Sequence, residues 1–189
     1  LELRAETPRA WTDVALGDFD AFLVDHAACE RKASATGMWF VARYPDRQRI
    51  LDPLIAFARE ELMHFHQVYQ LLERRGLRLG ADTKNPYVRQ LRALARNDSE
   101  EHFLDRLLIT GVVEARGCER FRLVAEALDD SELRAFYEDI TRSEARHHSL
   151  FVRLAREYFD DDRVRRRVGE ILDREAEIML SLPLRPAVH

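Results

Sequence analysis

Apolar residues recur along this chain at the three-and-four spacing of helices buried on one side. Between residues 17 and 44 the stripe Phe19, Phe22, His26, Glu30, Ala33, Gly37, Phe40 and Tyr44 falls on one face. Pro45 closes that segment, because proline disfavours helical geometry in the residue before it. A second segment, 46–76, carries Leu51, Leu54, Ala58, Glu61, Phe65, Val68 and Leu72, with Asp46 as its predicted N-cap and Gly76 at its end. Residues 77–98 form a longer connection, inside which Asn85-Pro86 predicts the start of a short arginine-rich helix. Asp98 and Glu101 predict a capping box for a third long helix, 98–128, striped by Phe103, Leu107, Thr110, Glu114, Cys118, Phe121 and Ala125. A break at residues 129–131 leads to a fourth, 131–159, with Leu133, Tyr137, Ile140, Glu144, His147, Phe151, Leu154 and Tyr158. A last amphipathic segment, 162–182, carries Val164, Val168, Ile171 and Met179, and Pro183 stops it.

Short breaks inside each pair of long helices predict two antiparallel hairpins, and the long link between them suits a single crossover. The 189 residues, 34% charged with only seven glycines and six prolines, suit one mostly helical domain over 1–189. No apolar run approaches the roughly 20 residues needed to cross a bilayer, and no signal-peptide pattern opens the chain. Two cysteines, Cys29 and Cys118, are too few for a disulfide framework or a four-cysteine metal site. Free thiols and a cytoplasmic location are therefore expected.

Candidate chemistry comes from acids standing where apolar residues belong. Each of the four long helices carries one glutamate on its apolar stripe: Glu30, Glu61, Glu114 and Glu144. A carboxylate in a helical core is very costly unless it is paired or bound to a cation. The second and fourth helices each add a histidine one turn on, His64 after Glu61 and His147 after Glu144. The set Glu, Glu-x-x-His, Glu, Glu-x-x-His is the di-iron or di-manganese arrangement of ferritin-like bundles. Glu60 with His64 and Glu144 with His148 are rival pairs. Only the three-residue spacing repeats in both helices and keeps each glutamate on its stripe. His26, one turn before Glu30, reads as a structural or outer-sphere histidine, and His66 and His148 read as partly exposed or outer-sphere groups. Both cysteines read as packing.

The formal net charge of −4 does not advertise nucleic-acid binding. Two divalent ions would offset four ligand carboxylates, however, leaving the remainder near neutral and room for a local basic patch. Arg74, Arg75, Arg78, Lys84, Arg89, Arg92 and Arg96 are its candidates, with Arg163 to Arg167 as a second cluster. Solvated helix faces are the plainer reading of such runs.

The stretches DHAACERKAS, AREELMHF, LLITGVVEARGCERF and SEARHHSLF together resemble the bacterial tRNA 2-methylthio-isopentenyladenosine hydroxylase family. The likeness runs from about Phe19 to Leu182, and the final PLRPAVH matches no pattern. The resemblance implies a ferritin-like fold whose non-haem di-iron centre uses dioxygen to hydroxylate the isopentenyl group of a modified adenosine beside the tRNA anticodon. It further implies Glu30, Glu61, His64, Glu114, Glu144 and His147 as iron ligands, with Glu61 and Glu144 bridging. An external donor, a reductase or ferredoxin-type protein, would supply electrons. Phe22, Phe40, Leu107 and Phe121 would surround the apolar prenyl group, and crossover arginines would hold tRNA phosphates. A monomer is expected, with a homodimer as the alternative, and no membrane attachment.

Two other readings share the ligand set. One is a hydroxylase of another prenylated substrate, such as a quinone precursor, and it predicts an exposed apolar docking face. The other is an iron oxidase or iron-handling protein.

Overall fold

The computed structural model describes residues 1–81 and 84–189, so residues 82 and 83 of the expected connection 77–98 lie outside the described residues. The described elements are helices: α1 (Arg9–Gly17), α2 (Phe19–Arg43), α3 (Gln48–Arg74), α4 (Pro86–Arg92), α5 (Ser99–Ala127), α6 (Ser131–Arg156) and α7 (Asp161–Ser181). They group into two compact units, one built on α2 and α3 with residues 185–188, the other on residues 1–12 and α4 to α7.

In the first unit α2 and α3 pack as a hairpin around Phe22, Leu23, Phe40, Ile50, Leu54, Phe57, Val68 and Leu72, all buried. Their close approach depends on Gly37. A Cβ there would lie 2.9 Å from Phe57 Cδ1, 3.0 Å from Ala58 Cβ and 3.1 Å from the Leu54 carbonyl. Ser34 Oγ, one turn before, donates to the Ala58 carbonyl at 2.8 Å and ties the helices at the same level. The tail that matched no pattern is anchored here too: Val188 is buried, and its backbone N–H donates to Asp25 Oδ2 at 2.7 Å.

The second unit is organised around α5, which α4, α6 and α7 cover. That cover buries α5 around most of its circumference, so Leu104, Leu108, Ile109 and Val112, which lie off the predicted stripe, are also core. Gly111 serves on α5 as Gly37 serves on α2. A Cβ there would meet Phe151 Cβ at 3.1 Å and the His148 carbonyl at 3.2 Å, both on α6.

Three local expectations need correction. Asp46 is not the cap of α3: Arg47 occupies that place and makes no side-chain capping bond. Asp46 belongs instead to a tight turn, in which its carbonyl accepts from Gln48 N and its carboxylate faces Arg47. Asp98 does cap α5, accepting from the Glu100 and Glu101 amides. The reciprocal half of the capping box is replaced, because the Glu101 carboxylate pairs with Arg96 and Arg163. Helix α1 was not expected. It is nine residues long and buries Trp11 and Ala15, too short a stripe for periodicity to register.

Candidate metal centre

On the α2–α3 hairpin, Glu30 comes from the middle of α2, and Glu61 and His64 from successive turns of one face of α3. All three are at least 95% buried. Each offers a ligand atom within 4.8 Å of the others. His64 Nδ1 lies 3.7 Å from Glu30 Oε2 and 3.8 Å from Glu61 Oε2. These separations exceed a hydrogen bond. They are within the roughly 4.2 Å that separates two donors each about 2.1 Å from one ion. His26, fully buried one turn before Glu30, places Nε2 at 2.6 Å from Glu30 Oε1.

The electrostatics are those of a cation site. Burial alone would raise the Glu30 carboxyl, but His26 and His64 outweigh it and hold that carboxyl well below its usual range. Burial would likewise lower His64, yet Glu30 and Glu61 push it up to about 10. Without a metal these two carboxylates keep a proton on the imidazole, and a metal ion is the stronger claimant for the same place.

On the α5–α6 pair the inventory repeats. Glu114, Glu144 and His147 are buried and offer ligand atoms within 4.8 Å of one another. His147 Nδ1 lies 3.5 Å from Glu144 Oε2. Among the rival ligands, Glu60 and His148 are half-buried and His66 is exposed. Burial lowers His148 below its ordinary value, with His147 adding to the effect. Burial raises Cys29 well above its ordinary value and takes Cys118 to about 11, so both thiols stay protonated.

The arginine candidates fare unequally. Arg74, Arg78, Lys84, Arg89 and Arg92 are exposed. Arg75 Nε donates to Asp20 Oδ1 at 2.8 Å. Arg96 donates through Nε and Nη2 to both oxygens of the fully buried Asp105, which Arg167 also grips. Arg163 pairs with Glu101, and Arg165 with Asp161 and Asp162. The prenyl-site candidates Phe22, Phe40, Leu107 and Phe121 are all core.

Two fully buried acids, Asp105 and Glu175, were missed. Glu175 sits on the apolar stripe of α7, four residues after Ile171 and four before Met179, the same signal that marked the other glutamates. It is fully buried, but its partner is Arg116 of α5, whose Nε and Nη2 donate to Oε1 and Oε2 at 2.8 and 2.9 Å. Tyr87 Oη adds a hydrogen bond at 2.8 Å. Thr7 and Glu119 complete the cluster, and burial lowers the adjoining Arg120, stacked on Trp11, to about 10.

Seven described helices without a strand, and buried Glu, Glu-x-x-His donors on two helix pairs, define a ferritin-like protein whose oxygen and imidazole donors fit a di-iron centre. A solved chain titled "Protein 43 with aldehyde deformylating oxygenase activity from Synechococcus" superposes with a TM-score of 0.92 at 33% identity, covering 97% of this chain and 92% of that one. Residues 2–189 match the family described as tRNA-(MS[2]IO[6]A)-hydroxylase (MiaE), and the chain belongs to that family. It is 36% identical over 179 residues to the tRNA 2-(methylsulfanyl)-N(6)-isopentenyladenosine(37) hydroxylase of Pseudomonas putida KT2440, covering 95% of this chain and 87% of the relative. The enzyme of the same name from Salmonella typhimurium LT2 is 26% identical over 228 residues, at 95% and 84% coverage. Among the described residues no helix is long and apolar enough to cross a membrane.

Proposed function

We propose that this chain is a dioxygen-dependent di-iron monooxygenase of the cytoplasm. It hydroxylates the isopentenyl group of a hypermodified adenosine beside the tRNA anticodon. One observation carries the reading: each long hairpin buries the same three donors, Glu30, Glu61 and His64 in one, Glu114, Glu144 and His147 in the other. The printed names of the relatives supply the substrate. We take the six side chains as the residues that would hold the two iron ions.

When bound, reduced iron supplies the activation of dioxygen. One oxygen atom enters a C–H bond of the prenyl group as a hydroxyl. The other leaves as water, using two electrons and two protons that an external reductase or ferredoxin-type donor must deliver. The protein's own part is to hold the carboxylates in place and keep bulk water away from them. Phe22 and Phe40 stand roughly 27 Å apart along α2, and Leu107 and Phe121 roughly 21 Å apart along α5, so these four are core residues of their helix pairs rather than the lining of one prenyl site.

For the polyanionic substrate, the outer face of α6 is the strongest phosphate surface. Arg142, Arg146, Arg153 and Arg156 are exposed and fall within about a quarter of the helix circumference, opposite the face bearing Glu144 and His147. Arg142 also lines, with Arg122 and Arg134, an open groove of about 510 Å³ between α5 and α6. Arg142 and Arg156 pair with the exposed carboxylates of Asp139 and Asp161, whereas Arg96 is held on the fully buried Asp105 and suits this role less well.

The deciding experiment incubates iron-loaded, reduced protein with oxygen and prenylated tRNA, then analyses the nucleosides by mass spectrometry. The expected product carries one added oxygen atom. The resemblance to a chain titled for aldehyde deformylating oxygenase activity favours a second reading, so an aliphatic aldehyde forms a parallel arm, with a free prenylated quinone precursor as another. Turnover of either without oxidation of tRNA would overturn the assignment.

A further inference from the structure

The two sets of donors match in ligand type but differ one turn earlier. Four places before Glu30 stands His26, and four places before Glu114 stands Thr110. His26 is fully buried in α2, packed beside Phe22 with ring centroids 6.2 Å apart, and its Nε2 lies 2.6 Å from Glu30 Oε1. An ionised carboxylate can only accept, so Nε2 carries the proton and donates it. The other oxygen, Oε2, is the one 3.7 Å from His64 Nδ1. On α5 the Thr110 hydroxyl has a single proton, and it goes to the Arg106 carbonyl at 2.8 Å.

We propose that His26 is a positioning residue that makes Glu30 a one-oxygen ligand, by holding Oε1 and turning Oε2 toward the ion shared with His64. A carboxylate anchored by an imidazole on one oxygen is oriented before the metal arrives. Its anchored oxygen is also a poorer second donor. The equivalent place on α5 holds Thr110 in place of an imidazole. The α2–α3 ion depends on an outer-sphere partner of the kind whose loss typically costs a factor of about 10 to 100 in affinity. This inference rests on reading Glu30 as an iron ligand.

The test is titration of metal-free protein with cobalt(II), followed by its visible absorption, for wild type, His26→Leu and His26→Gln. Wild type should take two equivalents. In H26L one equivalent should weaken by about 10- to 100-fold while the other keeps its wild-type affinity, and H26Q, whose amide can still donate, should recover most of the loss. Two equivalents bound by H26L as tightly as by wild type would sink the role of His26 and leave the di-iron reading standing. Failure of wild type itself to bind near two equivalents would sink that reading instead. Because H26L removes a partner from a buried carboxylate and could unfold, nitrogen NMR of zinc-loaded, 15N-histidine-labelled wild type supplies an independent check. His26 Nε2 should resonate as a protonated nitrogen whose proton exchanges slowly, and an unprotonated Nε2 overturns the proposal without any variant.

Discussion

At the scale of single residues, the contrast between Glu61 and Glu175 carries most of the chemistry. Both are glutamates on apolar helical stripes, and both are almost completely buried. Glu61 faces His64, an imidazole that can exchange its proton for a metal ion. Glu175 faces Arg116, which stays charged at any physiological pH and completes a pair that needs no metal. Removing one partner of such a buried pair leaves the other charge uncompensated. Glu175→Gln should therefore destabilise the protein by about 3 kcal/mol. In a chain of this size that corresponds to a fall in Tm of about 6 to 12 °C. Calorimetry checks it, and the metal stoichiometry of this variant should match wild type. An unchanged Tm would show that Glu119 alone suffices for Arg116.

Elements set how these residues meet. Gly37 lets α2 lie against α3 two turns beyond Glu30, where there is no room for a methyl group. Gly37→Ala should push the helices apart at that level and cost about 1 to 3 kcal/mol. Its effect on cobalt affinity should exceed that of Gly17→Ala, since a Cβ at Gly17 would meet nothing within 4 Å. Denaturant unfolding and metal titration of the two variants make the comparison. Helix α6 divides its labour by face, with Glu144 and His147 inward and arginines outward. Replacing Arg142, Arg146 and Arg153 with alanine should weaken tRNA binding at low salt. It should also flatten the slope of log K against log salt by about 2 to 3, the release of roughly one counterion per lost phosphate contact.

For the molecule as a whole, metal and fold are linked. Six buried ionisable donors, three on each helix pair, cost folding free energy that a bound cation returns. Loading with iron(II) under anaerobic conditions should raise Tm, increasingly with free metal concentration, because the ions bind only the native arrangement. Lowering the pH should diminish that gain, since His64, whose proton Glu30 and Glu61 hold, must release it to bind metal. A Tm indifferent to loading would argue against ligation by the buried cluster.

Much of this was legible along the chain. Long amphipathic periods marked α2, α3, α5, α6 and α7, because a helix buried on one side must repeat its apolar residues every three to four places. The misplaced glutamates were visible for the same reason. Helix α1 was not, since nine residues hold too little of a period. Nor was the cover around α5, where burial on most sides blurs the stripe that periodicity depends on. The capping of α3 was misread because Asp46 serves a turn instead, a choice made by backbone geometry after Pro45.

The sequence by itself determined which residues had to be buried and which of those were acids or imidazoles, because side-chain spacing along a helix is a local property. Only the tertiary structure decided the distant partners of the buried acids. Glu30 meets His64 of α3, Glu175 meets Arg116 and Asp105 meets Arg167, and partners so far apart in sequence are chosen by packing alone.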